Sequence, residues 1–87
     1  MDSHIRAQEN LRKLTKETWS RRGSLFVAGP LTSAHATSVI EDLSHFEIAF
    51  EKVQGPRGFS LQVATSESAT INAIPASERR AYHGLGR

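Results

Sequence analysis

The side chains best suited to hold a metal or move a proton fall in one short stretch: His35, Ser38, Asp42 and His45. Their spacing places them in a row along one side of a helix, opposite the apolar Ala36, Val39, Ile40 and Leu43. A tetrahedral metal site needs three protein ligands around one ion. His35 and Asp42 are separated by roughly 10 Å of helix rise, so no single ion reaches both. Asp42 with His45 alone makes too few. The row is therefore expected to be a hydrated helix face, with no metal and no other cofactor. No nucleophile, base and orienting group can be recognised together, which points away from an enzyme.

A second kind of chemistry is carried by cations. Arg12 and Lys16 lie one turn apart on the first helical stretch, with Trp19 on the same side. A tryptophan beside cations suits stacking or an interface anchor, although such a tryptophan more often folds back onto the core as the helix ends. Arg21-Arg22 and Arg79-Arg80 are basic doublets, which form one patch if the chain ends converge, and Arg57 sits at the tip of a turn. These eight residues are the expected partner-binding set. Gly55-Pro56-Arg57-Gly58 matches the G-x-x-G that clamps a nucleic-acid backbone in KH domains. That loop joins two helices, whereas this one is expected between strands, so the glycines are read as turn chemistry.

Phe26-Val27-Ala28-Gly29-Pro30-Leu31 resembles the first strand and loop of nucleoside deoxyribosyltransferase-like proteins, where an apolar strand often ends in Ala-Gly-Pro. The resemblance covers six residues of 87. The chain is too short for that fold and offers no matching catalytic carboxylate, so no residue role is carried over.

The elements that must position these groups follow from periodicity. Residues 3–20 are expected as a helix, because Ala7, Leu11, Leu14 and Thr18 line one face. Glu9, Lys13 and Glu17 stand four apart on the polar face, and Gly23 is the expected stop. Leu25–Ala28 is a short apolar run before Gly29-Pro30, expected as a strand buried on both faces. Residues 33–44 form a second helix, capped by Thr32 or Ser33. Phe46, Ile48 and Phe50, then Phe59, Leu61 and Val63, alternate with more polar residues around the turn at 54–58. This predicts an antiparallel hairpin over 46–64, its outer face carrying Glu47, Glu51, Ser60 and Gln62. Ala69, Ile71 and Ala73 alternate as a third strand would, although Ile71 and Ile74 also allow a helical turn; the strand is preferred. Pro75 opens a short helix over 76–83.

The result is a single α+β domain over residues 1–87, two layers deep, in the order helix, strand, helix, hairpin, strand, short helix. The first strand is expected parallel to the first hairpin strand, through a right-handed crossover. No apolar run approaches the roughly 18 residues of a membrane span, and the first residues lack a signal-like apolar stretch, so a cytoplasmic protein is expected. There is no cysteine to form a disulfide or a thiolate site. Net charge is +2, distributed as +3 over residues 1–22, −3 over 23–53 and +2 over 54–87. A domain built for nucleic acid would be more strongly basic throughout.

Small size, the absence of cofactor signatures and this split charge suit an interaction module. The expectation is a non-enzymatic regulator or inhibitor that covers a surface of a larger protein or complex, a type common among phage and mobile-element products. The alternative is an RNA- or DNA-binding module using the first helix, Arg57 and the C-terminal basic residues. An open hairpin edge would also allow a homodimer. No membrane partner is expected.

Overall fold

A computed structural model describes residues 3–75. The recurrence of Ala7, Leu11 and Leu14 builds α1 (Ser3–Thr15), and all three side chains are fully buried. α1 stops earlier than expected. Lys16 takes a left-handed backbone at φ 58°, and its N–H donates to the Arg12 carbonyl at 2.8 Å, which closes the last turn. Thr18 therefore lies beyond the helix and is exposed, while Thr15 is buried in its place.

The chain next forms a hairpin that periodicity did not signal. β1 (Ser20–Arg22) pairs antiparallel with β2 (Leu25–Leu31) around a turn in which Gly23 has φ 61°. Gly23 thus reverses the chain instead of stopping a helix. β2 continues through Gly29 and Pro30, and its pairing shifts register between Ala28 and Leu31. One face of β2 is sealed by Phe26 and Ala28, whereas Leu25 and Val27 on the other are only half-buried. The expected burial on both faces does not occur among the described residues, because the described helices cover a single side of the sheet.

α2 (Ser33–His45) begins as expected, with the Thr32 hydroxyl accepting the His35 N–H at 3.2 Å. Ala36, Val39 and Leu43 are buried, but so is Asp42, at 0% exposure. The expected hydrated row is broken at that point. Asp42 follows Val39 by three positions and adjoins Leu43, inside the arc that α2 turns to the core, while His35 and His45 remain exposed.

Residues 46–50 are not the first strand of the hairpin. Glu47 is left-handed at φ 57°, its N–H donates to Ser44 O at 3.1 Å, and the Ile48 N–H donates to Leu43 O at 2.9 Å. This is a Schellman end to α2, and it uses donors that a strand ladder would need. Ile48 still reaches the core as the apolar partner of Leu43, with Phe46 and Phe50 at its margin.

The hairpin itself consists of β3 (Glu51–Gly55) and β4 (Gly58–Ala64), paired from Glu51↔Gln62 to Gly55↔Gly58. Leu61 and Val63 are buried as expected. The sheet order is β1-β2-β4-β3, antiparallel at every contact. β2 and β3 do run in the same direction, but β4 lies between them and replaces the direct parallel pairing expected. The more apolar hairpin strand takes the central place, and the polar Glu51-Lys52-Val53-Gln54 strand forms an edge.

After β4 comes a 3-10 turn, Thr65–Glu67, and then a helix, α3 (Ser68–Asn72), where a strand was expected. Ile71 is buried, and Asn72 is tied to α1 by two hydrogen bonds: its Nδ2 donates to Ser3 O at 3.1 Å and its Oδ1 accepts from Asn10 at 2.9 Å. The helix expected over 76–83 lies outside the described residues. The fold is α+β in two layers, with helices on one face of a four-stranded sheet. No described helix is long and apolar enough to cross a membrane.

Candidate functional site

Strand alternation divides the sheet into two surfaces. Phe26, Ala28, Leu61 and Val63 face the helices and form the core with Leu11, Leu14 and Leu43. The residues between them face away from every described helix. Cross-strand pairing arranges that outer face in rows: Arg22, Leu25 and Ala64, then Ser20, Val27, Gln62 and Glu51, then Ser60 and Val53. Its centre is apolar, with Leu25, Val27 and Ala64 half-buried, and Val53, 42% exposed, lies beyond Ser60 on the edge strand β3. Its rim is charged, with Arg22 on the β1 edge and Glu51 on the β3 edge. Where the face meets the coil before β3, Leu25, Ala49, Phe50, Glu51, Gln62 and Ala64 line an open cleft of about 410 Å³.

The expected outer-face residues Glu51, Ser60 and Gln62 lie on this surface, whereas Glu47 lies in the turn after α2. Its apolar centre was missed. Leu25 and Val27 stand within a continuous apolar run, whose pattern implies burial on both faces, and Val53 stands alone among polar neighbours. The available signal was the continuity of that run in a chain with few helices to cover it.

The cationic candidates are dispersed. Arg12 is exposed on α1 and ion-paired with Glu9. That hydrogen bond, assisted by charge, raises the Arg12 pKa and lowers that of Glu9. Lys16, at the end of α1, is exposed one turn from Arg12. Trp19 is not beside them on the surface: it is 2% exposed, and its indole N–H donates to the Thr15 hydroxyl at 2.9 Å. Gln8 holds the Trp19 carbonyl at 2.7 Å. The early stop of α1 lets the indole fold back onto the core, which corrects its placement at an interface. Arg21 and Arg22 are exposed on β1, at the end of the sheet where Leu25 pairs with Ala64. Arg57 is exposed at the tip of the other hairpin, beyond Gly58. The length of β4 separates the two ends by roughly 20 Å, so they form no single patch. Arg79 and Arg80 lie outside the described residues.

His35 and His45 are exposed, Ser38 is half-buried, and the His45 ring lies edge-on to Phe46 at 4.7 Å. Among the described residues no three His, Asp or Glu side chains converge as metal ligands. No protein-family model, curated protein or solved structure matches the chain.

Proposed function

We propose that the protein is a small non-enzymatic regulator or inhibitor, acting in the cytoplasm by laying the outer face of its sheet on a larger protein. One observation carries this reading: an apolar centre of Leu25, Val27 and Ala64 inside a polar rim, on a face that no described helix covers. Interfaces between proteins have this anatomy, a desolvated apolar core within a wet charged rim. Rigid strands also present such a surface with little ordering cost.

A second reading rests on α1, whose outer side carries Arg6, Arg12 and Lys13 against a single acid, Glu9, with Lys16 just past its end. A helix of that charge suits phosphate groups, and nucleic acid is then the partner. Affinity capture from the native host separates the two, using wild type and Val27→Asp with nuclease-treated and untreated lysates. A protein retained by wild type after nuclease and lost by Val27→Asp supports the outer-face reading. Capture that survives Val27→Asp but disappears with nuclease, and that weakens steeply with salt, replaces it with the α1 reading.

A further inference from the structure

The edge strand β3 has a backbone side that β4 does not use. Gly55 and Gly58 pair across the two-residue turn Pro56-Arg57, so theirs is the hydrogen-bonded pair that closes the hairpin. Alternation then makes Val53↔Ser60 and Glu51↔Gln62 the next hydrogen-bonded pairs. The N–H and C=O groups of Lys52 and Gln54 consequently point away from β4, out of the sheet edge. The same count on β1, starting from Arg22↔Leu25, leaves only Arg21 pointing outward. β1 is thus too short and too cationic to accept a strand. β3 is the edge able to do so, and Val53 beside it is one of the exposed large apolar residues.

We propose that two copies of this chain join β3 to β3, antiparallel, with the two-fold axis at Val53. Three centres would pair the outward backbone groups, and the sequence discriminates among them. An axis at Lys52 sets Lys52 against Lys52 of the second copy. An axis at Gln54 sets Lys52 against Pro56, which has no N–H to donate. An axis at Val53 sets Lys52 against Gln54 twice, giving four backbone hydrogen bonds with no like charges opposed. Glu51 then faces Gly55 of the second copy, where no side chain competes. The two Val53 side chains meet as a non-hydrogen-bonded pair, the closer kind in an antiparallel ladder. Lys52 does not obstruct the join, because its ammonium lies 4.4 Å from the centre of the Phe59 ring, on the helix side of the sheet. The product is one eight-stranded sheet with both outer faces on the same side. This inference is independent of the proposed function, since the apolar centre of Leu25, Val27 and Ala64 lies on β2 and β4, away from the join.

The test exploits the lack of cysteine in the chain. Val53→Cys places two thiols about 4.5 Å apart at Cα across the axis, within disulfide range. Ser60→Cys, one strand inward on the same face, places them about 14 Å apart, three strand spacings. Under mild oxidation of the full chain, Val53→Cys should form a linked dimer at least tenfold faster than Ser60→Cys; equal rates overturn the proposal. Sedimentation at about 1 mM, a concentration that populates even weak complexes, should give twice the 9.6 kDa chain mass. Gln54→Pro removes a donor that β4 does not use, so it should keep the wild-type circular dichroism and sediment as a monomer. A monomeric wild type, or a folded Gln54→Pro dimer, refutes the join. If Gln54→Pro fails to fold, the cysteine pair decides.

Discussion

The two faces of the sheet are made by the same strands yet differ sharply in burial. Phe26, Ala28, Leu61 and Val63 point to one side and are 0–1% exposed. Leu25, Val27, Gln62 and Ala64, their immediate chain neighbours, point to the other side and keep part of their surface in water. The alternation of a strand makes the two sets independent: a side chain on one face cannot relax into the packing of the other. One face holds the fold together, and the other is covered by no described helix. The difference teaches where substitutions should cost stability and where they should not.

The largest effects are expected on the covered side. Leu61→Ala should lower the unfolding free energy by about 2–5 kcal/mol, and Trp19→Ala by about 3–5 kcal/mol, both measured by chemical denaturation. Val27→Ala, one residue from Phe26 but on the outer face, should cost about 1 kcal/mol or less. Comparable losses at Leu61 and Val27 would abolish the distinction between the faces. A Trp19→Ala variant of wild-type stability would return the indole to the surface.

A smaller effect of opposite sign is expected where the helix layer hands the chain to the sheet. Glu47 holds a left-handed backbone that costs a residue with a Cβ about 1–2 kcal/mol. Glu47→Gly removes that strain while adding unfolded-state entropy, so a net gain of about 0.5–1 kcal/mol is expected. A loss of stability would mean that the Schellman turn is not what joins the layers.

The smallest effect belongs to the solvent side of α1. The hydrogen bond from Arg12 holds the Glu9 carboxyl below its ordinary 4.5, with the charges of Arg12 and Lys13 assisting against some desolvation. A carboxyl lowered in the folded state contributes stability above its unfolded pKa and loses it as the pH falls through the folded one. Stability measured against pH should therefore show a slightly shallower acid loss for Glu9→Gln than for wild type. Identical acid limbs would show that this exposed pair leaves stability untouched.

The parts of the molecule that were legible are those built from near neighbours in the chain. The spacing of Ala7, Leu11 and Leu14, the Thr32 cap, the buried arc of Ala36, Val39 and Leu43, and the turn at Pro56-Arg57 all follow from contacts within a few residues. At the site, Ser60 and Gln62 lie on the expected outer face because alternation in β4 is local, and Glu51 joins them as the β3 partner of Gln62. Residues 46–50 misled for the same reason. Their alternation imitates a strand, but Glu47 and Ile48 spend their N–H groups closing α2. Arg21 and Arg22 read as a helix end with surface charge, and became a strand because β2 offered them a ladder.

By itself the sequence determined the α+β class, the two main helices, the β3–β4 turn and the inward set Leu61 and Val63, since helix periods, caps and turns are settled by atoms close along the chain. Which surfaces meet is a tertiary outcome: β4 lies between β2 and β3, Asp42 goes inside, and Leu25, Val27 and Val53 lie on a face that no described helix covers. Those outcomes depend on which surfaces meet across long stretches of chain. The free energy of burial follows total area removed from water, and local pattern does not specify which partner removes it.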